Sequence, residues 1–142
     1  MGGLAVGALA LGFSLKDVRG ETVTLTDFAG HPVLLAFYSP HCLACQAMYR
    51  DLRTFAEQNK DVQFVMISLG PEDENQCIAQ EQGFGFPVLT GDPDVTKRYH
   101  VPGTPFFYWI DDSGKVTDKG FANSLAALNQ LLADAQEEGP RP

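Results

Sequence analysis

The sequence predicts an α/β domain: a central mixed β-sheet flanked by helices on both faces, with an N-terminal β-hairpin. Three observations lead there. Two apolar runs of strand type, Val33 to Tyr38 and Val62 to Leu69, flank one amphipathic helical stretch, the pattern of a βαβ unit with a right-handed crossover. The polar turn Asp111-Asp112-Ser113-Gly114 separates Phe106 to Ile110 from Lys115 to Phe121, which reads as a late antiparallel hairpin. The chain has 142 residues, is 44% hydrophobic and carries ten Phe, enough for one domain with a buried core.

Each element has its own signal. Phe13-Ser14-Leu15 and Thr22-Val23-Thr24-Leu25 alternate with period two about Asp17-Val18-Arg19-Gly20, and predict the N-terminal hairpin. Thr26 to Gly30 predicts a short turn of helix closed by glycine. Residues 33–38 are apolar nearly throughout, as in a strand buried on both faces. From 43 to about 59, Cys45, Met48, Leu52, Phe55 and Ala56 recur at helical spacing, with Arg50, Asp51, Arg53 and Glu57 on the opposite face. Asn59-Lys60-Asp61 ends that helix before the second buried strand. Gly70-Pro71 stops the strand, and 72–82 predicts a more polar helix. Phe86 to Leu89 is short and extended, and Pro93 to His100 a brief helix. The last helix runs from Ser124 to about Ala135, with Leu125, Leu128, Leu131 and Leu132 facing inward. Residues 1–6 and 136–142 are expected to be flexible ends of a domain spanning 7–135.

Composition narrows the partners. A net charge of −8 argues against nucleic acid and anionic lipid, both of which need a basic patch. The apolar start, Met1 to Leu11, lacks a basic region and is far shorter than the ~20 residues of a membrane span. It reads as neither export signal nor anchor; an anchor would have to lie upstream of Met1. Three cysteines are too few for a disulfide scaffold in a chain of this length and suit a working pair plus a spare thiol.

That pair carries the chemistry. Ser39-Pro40-His41-Cys42-Leu43-Ala44-Cys45 follows a strand and opens a helix, so Cys42 meets unpaired N–H groups that favour a thiolate. Cys45 lies one turn further, close enough to close a disulfide with Cys42. Cys42 is therefore read as the nucleophile and Cys45 as the resolving thiol. A zinc site of the same spacing needs two further ligands in a second pair, and only Cys77 and three scattered histidines remain. Val101-Pro102-Gly103-Thr104-Pro105 leads into the aromatic strand. Proline there suits a cis peptide bond, leaving the Thr104 backbone free to bind an extended peptide. Gly103, Thr104 and Pro105, with Pro40 and His41 beside Cys42, are the expected substrate-binding residues.

The order strand, Cys-x-x-Cys, helix, strand, helix, Gly-Thr-Pro and hairpin resembles the thioredoxin fold. More narrowly, it resembles the TlpA-like branch of thiol–disulfide oxidoreductases, related to the alkyl hydroperoxide reductase/thiol-specific antioxidant group. The matching pieces are Gly7 to Leu15, Leu25 to Gly30, and Phe84 to Leu89 followed by Asp92-Pro93 and Tyr99-His100-Val101. Together they cover about residues 7–133. The resemblance implies an extracytoplasmic, monomeric enzyme that exchanges disulfides with protein substrates, in protein or cytochrome maturation. It implies an upstream thiol protein as electron donor and no cofactor or metal beyond the Cys42–Cys45 pair.

The departures from the family pattern are specific. Leu11 stands where proline is usual, His41 where tryptophan is usual, and Ala44 where proline is usual. Ala36 and Met48 occupy positions at which relatives carry a buried acid serving the inner cysteine. His41 either supports the Cys42 thiolate when protonated or is a solvated loop residue. His100 either faces the site or caps its helix, and Cys77 is read as a helix cysteine without a catalytic role. Two other functions have partial signals in the sequence. A thiol peroxidase of this superfamily would need Pro-x-x-x-Thr/Ser-x-x-Cys, which Ser39 without the earlier proline does not complete. Copper delivery through Cys42, Cys45 and a histidine suits the ligand chemistry, but assembly factors of this kind use a wider cysteine spacing.

Overall fold

The structure, a computed structural model, describes residues 2–138. A five-stranded sheet has the order β5-β4-β3-β6-β7. Its strands are β3 (Val33–Tyr38), β4 (Gln63–Ser68), β5 (Val88–Thr90), β6 (Phe106–Ile110) and β7 (Val116–Phe121). β3 pairs parallel with β4 and antiparallel with β6. β5 extends the parallel half, and β7 closes the antiparallel half. The sheet is therefore mixed, and the early βαβ unit and the late hairpin lie where the sequence puts them. The N-terminal hairpin, β1 (Ser14–Lys16) and β2 (Thr22–Thr24), forms a separate two-stranded sheet.

β3 is central and every residue in it is buried, as its unbroken apolar run requires. Its side chains alternate between two cores. Leu34, Ala36 and Tyr38 join Cys45, Met48, Leu52, Phe55 and Leu128 on one face. Val33, Leu35 and Phe37 join Phe13, Leu15, Val95 and Tyr99 on the other. The helices are α1 (Leu43–Ala47), α2 (Tyr49–Gln58), α3 (Glu72–Gln82), α4 (Pro93–Arg98) and α5 (Leu125–Glu138). α4 and the N-terminal strands cover the face opposite α1 and α2, so both faces of the sheet carry helix.

One expectation needs correction. The helix over 43–59 is two helices, broken at Met48, which caps the first and starts the second with φ −95° and ψ −7°. The Met48 amide donates to the carbonyls of Cys45 and Gln46 instead of reaching back four residues, which tightens the turn. The apolar periodicity hides this break, because Cys45, Met48, Leu52 and Phe55 stay buried across it. The last helix also runs past Ala135 to Glu138. Of the expected flexible ends, Met1 and residues 139–142 lie outside the described residues.

The N-terminal segment is tied down by tyrosines. The Leu4 amide donates to the Tyr108 hydroxyl at 2.7 Å, that hydroxyl donates to the Tyr99 carbonyl at 2.5 Å, and the Tyr99 hydroxyl donates to the Leu11 carbonyl. Gly3 adopts φ +97°, and a Cβ there would lie 2.7 Å from the Tyr108 oxygen. Only glycine lets the backbone pass that close.

Candidate active site

The parallel strands end at one edge of the sheet, the usual place for a site in an open α/β sheet. The loop after β3 delivers Cys42 there. Pro40 is buried and lies against Gly70, whose φ is +104° and where a Cβ would come within 3.1 Å of the Pro40 ring. The Gln46 side chain donates to the Pro40 carbonyl at 2.8 Å. These contacts set the shape of the loop.

Cys42 is the N-cap of α1, and its Sγ accepts from the Cys45 amide at 3.1 Å. The same sulfur lies 3.5 Å from the Thr104 carbonyl oxygen, to which the thiol donates. Partial burial works against the thiolate. The Cys45 thiol, the Thr104 side chain and the Cys45 and Ala44 amides outweigh it, so the Cys42 thiol sits below its ordinary value. α1 has five residues, so these nearby donors hold the charge rather than a long dipole. Cys45 is fully enclosed. Burial, then the hydrogen bond with Cys42, pushes its thiol up to about 12. The two thiols are thus shifted in opposite directions, one lowered and one raised, and both are free in this structure.

The structure also brings Thr104 to the dithiol, between Gly103 and Pro105, with the Thr104–Pro105 bond cis. Thr104 lies just before β6 begins at Phe106. The exposed His41 places Nε2 2.9 Å from Glu74 Oε2, spanning from the loop to the first turn of α3. Of the two readings of His41, the geometry gives it a carboxylate partner and a solvated ring. His100 is exposed and adopts φ 50° just beyond α4, its amide donating to the Lys97 carbonyl, so it closes that helix. Cys77 is exposed and donates to Glu81 Oε1 at 3.2 Å, which together with the Glu81 charge pushes its thiol up. Among the described residues no three His, Cys, Asp or Glu side chains converge as a metal requires.

Several neighbours of the dithiol escaped the sequence reading. Tyr49, on the same face of the break as Met48, stacks on Tyr38 with centroids 6.1 Å apart and meets Phe84 edge-on at 5.6 Å. Phe121, 52% exposed, lies against Gly103 and meets Phe106 edge-on at 5.0 Å. Leu43 is 80% exposed beside Cys42. Glu74 is 33 positions from His41 in sequence, and nothing local marks the pairing.

The model of the AhpC/TSA family matches residues 6–119. The chain belongs to that family. Its sequence is 31% identical over 120 residues to thiol-disulfide oxidoreductase ResA of Geobacillus thermodenitrificans, covering 80% of this chain and 67% of that one. It is 26% identical over 127 residues to methylamine utilization protein MauD of Paracoccus versutus, covering 89% and 64%. Among solved structures, a thioredoxin-family thiol:disulfide interchange protein from Chlorobium tepidum superposes with a TM-score of 0.79 at 21% identity, covering 93% of this chain and 98% of that one. The fold is thioredoxin-like, and within the AhpC/TSA family the chain is similar to thiol–disulfide oxidoreductases of the TlpA-like branch. It spans about two thirds of the length of these curated relatives.

Proposed function

We propose that this AhpC/TSA domain reduces disulfides in protein substrates outside the cytoplasm, in protein or cytochrome maturation. Cys42 is the nucleophile and Cys45 the resolving thiol. The observation that carries this reading is the asymmetry of the pair: Cys42 half-buried, hydrogen-bonded and lowered, Cys45 enclosed and raised to about 12. The Cys42 thiolate attacks a substrate disulfide, one substrate sulfur leaves as a thiolate, and a mixed disulfide forms. Cys45 then attacks Cys42 Sγ, releases the second substrate sulfur and leaves a Cys42–Cys45 disulfide. An upstream thiol protein returns the pair to the dithiol.

Thr104, whose carbonyl oxygen lies 3.5 Å from Cys42 Sγ, is assigned with Gly103 and Pro105 to the substrate backbone. His41, next to Cys42 in sequence, and Pro40 are assigned to the same substrate contact. The relatives named ResA and MauD support the extracytoplasmic setting by similarity. No helix among the described residues is long and apolar enough to cross a membrane.

Insulin reduction tests the reading. Cys42→Ser is expected to abolish it, and an intact rate in that variant would refute the assignment. The equilibrium potential of the pair against glutathione tests the direction: a reductant lies near about −270 mV and an oxidant near about −120 mV.

A further inference from the structure

The polar atom left least satisfied near the dithiol is the Tyr38 hydroxyl. Tyr38 ends β3 and, by strand alternation with Leu34 and Ala36, faces the core under α1 and α2. It packs in one cluster with Cys45, Met48, Tyr49 and Phe107. Only 1% of it is exposed, and its hydroxyl has no hydrogen-bond partner among the described residues. An unpaired buried hydroxyl is unfavourable, and phenylalanine would fill the same space without that cost.

Cys45 has the complementary need. It must ionise to resolve the mixed disulfide, yet its enclosure opposes the charge. The residues beside it on this face, Ala36 and Met48, are apolar and buried. The titratable groups that bear on Tyr38 are Cys45, Tyr49, Cys42 and Asp51, in that order, and Asp51 already accepts from the Leu125 amide at 3.2 Å. A phenol held neutral by burial is a poor base but a competent donor.

We propose that Tyr38 is the hydrogen-bond donor to the Cys45 thiolate during resolution. Its hydroxyl turns to Cys45 Sγ as that sulfur gives its proton to solvent. The thiolate then attacks Cys42 Sγ, the bond from Cys42 to the substrate sulfur breaks, and the substrate leaves as a thiolate. Tyr38 keeps its own proton throughout. The inference rests on the exchange reading above and concerns its second step alone.

The test mixes reduced protein with an aromatic disulfide whose thiolate is coloured, in a Cys77→Ser background, and follows release across pH by stopped flow. The first coloured thiolate reports attack by Cys42, and the second reports resolution by Cys45. In Tyr38→Phe the first phase is expected to hold, while the second slows about tenfold near neutral pH, the effect of one hydrogen bond to a charged group. The alkaline midpoint of the second phase moves up. Tyr49→Phe, which alters the stacked neighbour, leaves both phases in place. An unchanged second phase in Tyr38→Phe overturns the proposal, as does equal slowing of both phases or the same effect in Tyr49→Phe. Failure of Tyr38→Phe to fold also overturns it, since the hydroxyl would then be serving the resting structure. Loss of the first phase only in Cys42→Ser keeps the exchange reading standing whatever Tyr38 does.

Discussion

Replacing Ala44 with proline tests one of the contacts that lower Cys42. Ala44 is exposed in the first turn of α1, and the first intrahelical bond runs from the Gln46 amide to the Cys42 carbonyl at 3.0 Å. The Ala44 amide therefore has no helical partner to lose, and its donation helps lower the Cys42 thiol. Proline is tolerated in a first turn for that reason. Removing one hydrogen bond to a charged sulfur costs about 1.5–3 kcal/mol when the site is dry. Cys42 is partly solvated, so the low end applies: about 1.4 kcal/mol, one unit of pKa. Alkylation of the reduced protein by iodoacetamide, followed by mass mapping across pH, reads the midpoint directly. Ala44→Pro is expected to raise it by about one unit and to slow alkylation near neutral pH about tenfold. A midpoint unchanged from the parent would refute the claim that the Ala44 amide helps to hold the Cys42 thiolate.

Two further outcomes follow from other titrating groups. Folding holds the Cys45 thiol at about 12, above its unfolded value of about 8.5. The associated stability is fully present below about pH 8.5 and declines as pH rises through the folded value. Denaturant titration of the reduced protein should show this alkaline decline, and Cys45→Ala should show a shallower one; parallel curves would contradict the raised thiol. Asp111 accepts from the Ser113 amide at 2.9 Å, the Ser113 hydroxyl at 2.7 Å and the Lys115 amide at 2.9 Å. Partial burial opposes its charge, and these donors outweigh that and lower its carboxyl. Asp111→Ala should cost about 1–2 kcal/mol in thermal or denaturant unfolding at neutral pH. The difference should vanish as pH falls through the lowered carboxyl value, and a constant difference would contradict the account.

Much of the fold was legible because the strands carry their own signals. β3 and β6 occupy 33–38 and 106–110 as expected, since buried strands in this sheet are uninterrupted apolar runs. The break at Met48 was not legible: it leaves the apolar spacing intact and uses no proline or glycine. The placement of Cys42 and Cys45 was legible from chain order, because strand, loop and helix start follow one another there, and that of Thr104 from the Gly-Thr-Pro run that leads into β6. Tyr38 was visible only as a strand residue. Its position beside Cys45 depends on which face of β3 lies under α1, and that register is fixed by the whole sheet. The His41–Glu74 contact and the Phe121–Gly103 contact join residues far apart in sequence, so no local pattern announces them.

The central claim is that Cys42 attacks and Cys45 resolves. Trapping tests it most directly: each single cysteine variant is mixed with an oxidised protein substrate and the products are weighed. Cys45→Ser is predicted to accumulate a stable mixed disulfide through Cys42, while Cys42→Ser accumulates none. Equal trapping by both variants, or trapping through Cys45 or Cys77, would contradict the account.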